Sequence, residues 1–362
     1  MSSPQAPRIV ELAGTPWERG RRHGELLAQE IRGLRRTLIR YLSRLTLYIG
    51  AWPLLALAQR LALLSFWPFL PARVREELIG VAAGAGLGLP LVLLINTLDD
   101  LANNLASCSA LAVGQDRTSE GLYLAGRNLD YPVFVDALIG YQTLFLITPE
   151  RGVPLASLAW PGYVGVTTGL NRAGVAVAQL ASMCRGATRK GLPAGLRYRQ
   201  ALEQGSTVEE VAGRVLASPG TIGNNVLLTG PRDALVLEIS ARCHARRRPA
   251  AGLLTVTNHF QSPEMVREKG RFRRRPPFSV LEPYHFTEAY SQARNTRLQE
   301  LAARRPLAPA DLQAILGDPG IANPGTANSV VFVPAELTLW IAAKGPPPVS
   351  RGKFIKFCPW AR

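Results

Sequence analysis

The sequence is poor in the residues on which several common kinds of site depend. Only five of its 42 basic residues are lysine, and its 362 residues include four cysteines, four histidines and three methionines. No two cysteines form a CxxC pair, so the spacing of a structural zinc site is missing. Four cysteines in a chain of this length do not make a disulfide scaffold. Since no Walker loop or dinucleotide fingerprint occurs either, the sequence predicts neither a metal nor a cofactor.

Signals for nucleic-acid binding and for secretion are also missing. The sequence contains no RNP, zinc-finger or basic-zipper pattern, so nucleic acid is not an expected partner. Residues 1–20 lack the apolar core of a signal peptide. We therefore expect a cytoplasmic protein whose thiols are reduced.

The composition is that of a folded and strongly basic chain. Apolar residues make up 47% and charged residues 19%, which argues against wholesale disorder. The length allows one large domain or two ordinary ones. The formal net charge of +16 comes almost entirely from arginine. Two interpretations stay open, an arginine-rich background set by codon usage and an anionic membrane face or acidic ligand.

Hydrophobic periodicity divides the chain near residue 108. Residues 8–13 alternate as a short strand. Helical spacing predicts helices over 17–44, 74–87, 91–106, 195–217, 288–304 and 309–317. From Ser109 onward, many short apolar runs alternate with glycine, proline and asparagine, which is typical of consecutive strands. Two arginine-rich segments, 242–248 and 267–275, are predicted to be loops. The pattern indicates an α+β fold with a helical N-terminal third.

The stretch from Leu45 to Leu70 is almost entirely apolar. Pro53, Gln59 and Arg60 interrupt it, and a central arginine in a membrane span would cost roughly 2.5–3.5 kcal/mol. Three interpretations remain: a pair of helices packed on the core or on a second subunit, a hairpin that touches a membrane or lipid, and a true span.

Cys108 begins a predicted β-hairpin whose return strand contains Arg127 and Asp130. A polar turn over 114–121 would bring these two residues back beside the cysteine. A guanidinium next to a thiol favours the thiolate, and a carboxylate can accept hydrogen bonds from an ammonium group. A cysteine at a chain terminus requires both neighbours, because it uses its own α-amine, of pKa about 7.7–8.0, as the base. The alternatives are a buried structural cysteine and an ordinary Arg127–Asp130 turn ion pair.

Six motifs together resemble the N-terminal nucleophile hydrolases of the penicillin acyltransferase and choloylglycine hydrolase group. They are ELAGTPWERGRRHGELL at 11–27, the Cys108–Ser109 pair, GRNLDY at 126–131, GLNRAGVAV at 169–177, TVTNHF at 255–260 and SQARNTR at 291–297. Their order and spacing carry the resemblance, which covers nearly the whole chain. It implies a four-layer αββα sandwich of two antiparallel sheets. A helical segment, 1–107, would pack on a catalytic segment, 108–362.

The resemblance also implies a self-processing nucleophile. The chain would be cleaved between Ser107 and Cys108, and Cys108 would then attack the substrate. Asp130 would hold the new ammonium group and Arg127 would orient Cys108. The 107 residues before the cysteine favour the branch of the group that retains a cleaved helical segment, and not the bile-salt branch.

The same resemblance implies roles for three further residues. Asn258, together with a backbone N–H, would stabilise the oxyanion, Arg294 would support Asp130, and Asn171 would bind substrate. The alternatives are a turn residue for Asn258, a helix surface charge for Arg294, and a turn-shaping residue for Asn171. Ala181 stands where the bile-salt branch has a second asparagine on the substrate side, so a bile salt is not favoured.

The implied activity is that of a cysteine amidase or acyltransferase acting on a small-molecule N-acyl amide. The apolar stretch Leu45–Leu70 favours a fatty-acyl amide as the substrate and contact of the protein with a membrane surface. The acyl group could pass to water or to an amine acceptor. Two rivals remain: a non-enzymatic membrane-surface binding protein, and a papain-like thiol hydrolase that uses His259. The sequence leaves the oligomeric state open.

Overall fold

Fourteen strands within the described residues form two sheets. The computed structural model describes residues 6–46, 50–103, 107–272, 275–304 and 306–361. The strands are β1 Arg8–Gly14, β2 Ser109–Val113, β3 Leu124–Asp130, β4 Thr143–Pro149, β5 Leu155–Ala159, β6 Thr168–Asn171, β7 Ala176–Ala181, β8 Asn224–Thr229, β9 Ala234–Ile239, β10 His244–Arg247, β11 Leu253–Val256, β12 Thr326–Val333, β13 Thr338–Ala342 and β14 Ile355–Phe357. The larger sheet has the order β1-β4-β5-β6-β7-β8-β9-β10, and the smaller has the order β11-β2-β3-β12-β13-β14.

Helices cover the outer face of each sheet. Their bounds are α1 Pro16–Leu45, α2 Ala51–Phe66, α3 Ala72–Ala85, α4 Leu89–Leu101, α5 Val135–Gly140, α6 Ala194–Gln204, α7 Val208–Leu216, α8 Pro263–Val266, α9 Glu288–Ala302 and α10 Pro309–Gly317. The predicted helices are present, and the region 195–217 is divided into α6 and α7. The short helices α5 and α8 were not expected.

Alternation of side chains along each strand builds three layers of core. Ala110 and Ala112 of β2 face the larger sheet, where they share a cluster with Leu158 of β5. The intervening residue Leu111 faces the opposite way and packs with Leu312 of α10. A third cluster lies between the larger sheet and α1, α3, α4, α6 and α7. The predicted α+β class and four-layer αββα arrangement are confirmed.

One pairing departs from the antiparallel prediction. β1 lies parallel to β4, in register from Arg8 opposite Thr143 to Gly14 opposite Pro149. The N-terminal segment therefore contributes an edge strand to the larger sheet in addition to helices. Because the partners are more than 130 residues apart, no local pattern in the sequence specifies this direction.

The N-terminal motif is explained by the way α1 packs on α3. Thr15 and Glu18 form a capping box that starts α1. Gly20 and Gly24 then face α3 so closely that a Cβ on either would collide with the backbone of Glu77 or Val81. Only glycine at these positions lets the two helix backbones approach each other.

The stretch Leu45–Leu70 forms α2 and the turn after it, with residues 47–49 lying outside the described residues. α2 buries Leu55 on one face, while Trp52 and Leu64 on the other face are 58% and 66% exposed. Among the described residues, no helix combines the length and apolar character needed to cross a bilayer. α2 therefore packs on the core with one face and presents apolar side chains on the other.

The segment 242–248 was predicted to be a loop, and this prediction is wrong. His244–Arg247 form β10, the edge strand that pairs antiparallel with β9. The Nε of Arg247 donates to Oε1 of the buried Glu238 at 2.7 Å. An edge strand can hold such charged side chains because one of its sides has no strand neighbour.

His23 in α1 is completely buried and should make the fold sensitive to acid. Its Nε2 accepts the N–H of Gly162 at 2.8 Å, which only an unprotonated nitrogen can do. Burial lowers the pKa of His23 to about 4, against about 6.5 in an unfolded chain. Between these two pKa values, the unfolded chain binds a proton at His23 and the folded chain does not. We expect stability to fall by about 3 kcal/mol as the pH drops from about 6.5 to about 4.

The variant His23→Gln isolates this effect, because glutamine keeps an acceptor but does not titrate. Denaturant unfolding of both proteins at several pH values between 7 and 4 measures the difference. The variant should lose less stability than the wild type over this range, and an equal loss would show that His23 does not contribute.

Candidate active site

Cys108 lies directly before β2 and is completely buried between the sheets. β2 pairs with β3 in the predicted hairpin, with Ala110 opposite Arg127. Nη2 of Arg127 donates to Sγ of Cys108 at 3.4 Å. The carbonyl of Asp130 accepts the N–H of Ser107 at 2.8 Å. The hairpin thus brings Arg127 to the thiol and Asp130 to the residue before it.

The guanidinium of Arg127 is held from its other side by the larger sheet. Its Nη1 donates to the carbonyl of Thr167 at 2.7 Å and to the hydroxyl of Thr168 at 2.5 Å. Burial raises the pKa of the Cys108 thiol, and the charge of Arg127 opposes this rise. In the intact chain the thiol is therefore protonated at neutral pH, with a fixed positive charge beside its sulfur.

Asp130 is a fully buried carboxylate surrounded by donors. The hydroxyl of Thr326 donates to Oδ1 at 2.7 Å, and Nδ2 of Asn323 donates to Oδ2 at 2.8 Å. Nη1 of Arg294 also donates to Oδ2, at 2.8 Å. Burial raises the pKa of Asp130, and Arg294 is the strongest opposing influence. Asp130 pairs with Arg294, so the alternative of a simple Arg127–Asp130 turn ion pair is not what the structure contains.

Arg294 joins the carboxylate to both sides of the Ser107–Cys108 peptide bond. Its Nη2 donates to the hydroxyl of Ser107 and to the carbonyl of Cys108, each at 3.1 Å. The guanidinium also lies over the ring of Tyr290, 4.7 Å from its centroid. Arg294 is only 1% exposed, which contradicts the alternative of a helix surface charge.

Asn258 contacts the backbone nitrogen of Cys108 through its carbonyl oxygen. Oδ1 accepts the N–H of Cys108 at 2.9 Å and Nη2 of Arg294 at 2.6 Å. Nδ2 donates to the carbonyl of Ala181 at 2.8 Å, which leaves its second hydrogen for another acceptor. Asn258 is therefore adjacent to the nitrogen that cleavage would turn into an amine.

Asn171 is not brought into this cluster. Its Nδ2 donates to the carbonyls of Leu202 and Gly205 at 2.9 and 2.7 Å. Its Oδ1 accepts the N–H groups of Ala173 and Val175 at 3.2 and 2.9 Å. The side chain thus ties the β6–β7 turn to the end of α6. These contacts favour the turn-shaping alternative, and the substrate-binding role predicted for Asn171 has no support from them.

His259 faces Ser291 and has no hydrogen bond to Cys108 among the described residues. Its Nδ1 lies 2.8 Å from Oγ of Ser291, which also accepts the backbone N–H of Asn258 at 2.8 Å. This geometry gives no support to a papain-like pair of Cys108 and His259. It makes Ser291 the residue that fixes the backbone of Asn258.

We expect Ser291→Ala to lower kcat by roughly 10- to 100-fold, because it removes a buried hydrogen bond worth about 1–3 kcal/mol from the backbone of Asn258. Steady-state kinetics checks this, with His259→Ala as the comparison and a smaller expected loss. The opposite pattern, in which His259→Ala abolishes turnover and Ser291→Ala changes nothing, would favour the papain-like alternative.

An apolar cavity of ≈ 110 Å³ adjoins the site, between α1, α4 and the residues that follow the ends of β3 and β5. Tyr131, the residue after Asp130, lines it and packs edge-to-face on Trp160 with ring centroids 5.6 Å apart. Most of the remaining lining is aliphatic or aromatic, and includes Leu34, Leu38, Leu94, Leu98, Phe134 and Leu138. Tyr131 and Cys108 belong to the same core cluster. The cavity therefore reaches the residue that follows Asp130 in the sequence.

Comparison with known families identifies the chain. Residues 117–308, more than half of the sequence, match the family model of acyl-coenzyme A:6-aminopenicillanic acid acyl-transferase. The chain belongs to this acyl-transferase family. The matched range includes Arg127, Asp130, Asn258 and Arg294, whereas Cys108 lies ahead of it. The N-terminal nucleophile hydrolase relationship predicted from the motifs is confirmed.

The chain is also similar to individual proteins. An uncharacterized protein of Archaeoglobus fulgidus is 27% identical over 194 residues, 47% of this chain and 32% of that protein. Protein dcd1A of Dictyostelium discoideum is 24% identical over 237 residues, 59% of this chain and 53% of its own. The chain thus spans about a third and about half of the lengths of these relatives. A Caenorhabditis elegans ortholog of N-acylethanolamine-hydrolyzing acid amidase has a TM-score of 0.47 and 18% identity, covering 63% of this chain and 93% of that structure.

Several residues of the candidate site were not named by the sequence analysis. Asn323 and Thr326 hold Asp130, Thr168 holds Arg127, and Ser291 holds Asn258. Ser291 begins the SQARNTR motif, which was the only signal pointing to any of them. Within the described ranges, no cluster of three or more His, Cys, Asp or Glu side chains could hold a metal ion.

Proposed function

We propose that the chain is a cysteine amidase or acyltransferase that activates itself by cleaving its own Ser107–Cys108 bond. The supporting observation is the convergence of three groups on Cys108. Arg127 contacts its sulfur, Asn258 contacts its nitrogen, and Arg294 contacts its carbonyl oxygen. Any buried residue needs partners for its backbone N–H and carbonyl, but a buried structural cysteine needs neither a guanidinium at its sulfur nor side chains as its backbone partners.

In the cleavage step, the thiol of Cys108 attacks the carbonyl carbon of Ser107. A thioester forms as the C–N bond breaks, and the thiol proton passes to the departing nitrogen of Cys108. Water then hydrolyses the thioester, which releases the carboxylate of Ser107 and restores the thiol. The contacts of Arg294 and of the Asp130 carbonyl hold both residues of the bond during this step. The product consists of segments 1–107 and 108–362.

In the mature enzyme, the new α-amine of Cys108 is the base. It takes the thiol proton as sulfur attacks the substrate amide and returns it to the leaving amine. Arg127 stabilises the developing thiolate, and the Asp130–Arg294 pair together with Asn258 orients the amine. The second Nδ2 hydrogen of Asn258 serves the oxyanion, a contribution of roughly 2.7–4 kcal/mol for one donor.

The apolar cavity supports an apolar, fatty-acyl group on the substrate. Its wall includes Tyr131, the residue after Asp130, and most of its lining residues are aliphatic or aromatic. A series of N-acyl amides of increasing chain length tests this assignment. We expect kcat/KM to rise with apolar chain length until the cavity is filled, whereas a preference for short polar acyl groups would contradict it.

The exposed face of α2 supports contact with a membrane surface, from which such a substrate could be taken. Trp52, Leu57 and Leu64 project from this face, and the guanidinium of Arg35 lies 5.0 Å from the ring centroid of Trp52. Apolar residues beside arginines suit the boundary of an anionic bilayer. Co-sedimentation with anionic vesicles should weaken in Trp52→Ser/Leu64→Ser, and unchanged binding would remove this part of the proposal.

Hydrolysis and acyl transfer share the thioester, so product analysis must separate them. The proposed enzyme releases free acid from an N-acyl amide in water. If transfer is its main activity, an added amine should divert most of the acyl group into a new amide. An absence of both products, in protein whose chain stays intact, would favour the non-enzymatic binding protein.

A further inference from the structure

A second cavity, of ≈ 360 Å³, lies where α1 and α3 meet α6, α7 and the turn between β4 and β5. The described residues that line it are all different from those of the apolar cavity. Its volume lies within the range of roughly 300–1,000 Å³ that is common for small-molecule sites. In contrast to the first cavity, its lining is rich in charged side chains.

The floor of this cavity is a buried network of two arginines and two glutamates. Nη2 of Arg19 lies 2.9 Å from Glu77 and 3.7 Å from Glu203. Arg199 lies 3.7 Å from Glu77 through Nη1 and 3.2 Å from Glu203 through Nε. The four charges cancel, and each arginine contacts both carboxylates. The floor is therefore electrically neutral.

The rim of the cavity has positive charges that the floor does not balance. Arg73 of α3, Arg151 of the β4–β5 turn and Arg214 of α7 are exposed and line the cavity. No ion pair or side-chain hydrogen bond in the described part of the chain involves any of the three. Arg199 also keeps a buried Nη2 without an acceptor there. An arginine-rich background supplies exposed arginines, but it does not explain why three separate elements direct theirs to one cavity with a neutral floor.

We propose that this cavity is a binding site for a small phosphorylated anion with two or more negative charges. Arginine suits this ligand because its planar fork donates two parallel hydrogen bonds to phosphate oxygens. The three rim guanidiniums would contact the phosphate oxygens. The arginines and glutamates of the floor would hold the cavity in shape, and they would not compete with the rim for the anion because their charges cancel.

The site also spans the boundary between the two proposed segments. Arg19 and Arg73 belong to segment 1–107, while Arg151, Arg199 and Arg214 belong to segment 108–362. A bound anion would therefore strengthen the association of the segments after cleavage. This consequence rests on the proposed function, whereas anion binding itself does not.

Titration with inorganic pyrophosphate tests the site, with thermal unfolding of the full chain as the readout at constant ionic strength. A ligand that binds only the folded state raises Tm in a saturable manner. We expect this in the wild type, and a roughly 10-fold or greater loss of affinity in Arg151→Gln/Arg214→Gln. The control Arg36→Gln/Arg232→Gln removes the same charge from exposed positions outside the cavity and should keep the wild-type response.

A rise in Tm that does not saturate, or an equal response in both double variants, would overturn the proposal. Arg73→Glu provides an independent check, because a reversed charge on the rim should also abolish the saturable response. Repeating the titration in Cys108→Ala separates the two proposals. Anion binding should persist in that variant whether or not the wild-type chain is cleaved.

Discussion

Cys108→Ala is expected to reduce turnover of an N-acyl amide roughly a millionfold, the loss that follows when an enzyme loses its nucleophile. In the proposed mechanism the acyl group is carried by this one sulfur as a thioester. Arg127 and Arg294 are donors, and Asn258 contacts Cys108 through a neutral amide. Rates measured with substrate in excess give the magnitude.

Cys184→Ala is the matched control, since Cys184 is also buried but belongs to a different cluster with Phe260 and Met265. Its removal should cost some stability and leave kcat within a few-fold of the wild type. If Cys108→Ala retained activity while Cys184→Ala lost it, the nucleophile would have been assigned to the wrong cysteine.

Arg294→Met is expected to destabilise the fold by about 3–5 kcal/mol and to prevent cleavage, because it leaves Asp130 as a buried charge without its ion-pair partner. Arg294 opposes the effect of burial on the pKa of Asp130, so its removal should raise this pKa further and favour a protonated carboxyl. A protonated Asp130 could not balance the charge of a new ammonium group. Denaturant unfolding and the extent of cleavage give the two readouts.

The same helix provides the control. Arg297 pairs with Asp318 at 2.8 Å, the distance of the Arg294–Asp130 pair, but its side chain is 42% exposed. Arg297→Met should therefore have little effect on stability, as is usual for an exposed ion pair, and should leave cleavage unchanged. Equal losses in the two variants would mean that burial of the Arg294–Asp130 pair is not what matters.

The parts of the fold that depend on local patterns could be predicted from the sequence. The amphipathic spacing of 17–44 predicts α1, and the Cys108–Asp130 hairpin follows from two short strands joined by a polar turn. The parallel pairing of β1 with β4 could not be predicted, because its register depends on contacts more than 130 residues apart. The edge strand β10 was not predicted, because its arginines give the segment the charged composition that is typical of a loop.

The residues of the candidate site also fall into those that the sequence could predict and those that it could not. Arg127 is close to Cys108 in sequence, and the hairpin register alone places it opposite the start of β2. Asn258 and Arg294 could be named only through a motif resemblance. Asn323 and Thr326 approach Asp130 from β12 and the turn before it, almost 200 residues further along the chain. No spacing rule connects such distant positions.

Mass spectrometry of the purified, active protein under denaturing conditions tests the central claim most directly. We predict two polypeptides, one ending at Ser107 and one beginning at Cys108, that copurify because β1 pairs with β4 and Arg19 contacts Glu203 across the two segments. Cys108→Ala should give one uncut chain of 362 residues. An active wild-type protein that consists only of the uncut chain would contradict the claim, since Cys108 would then have no free amine.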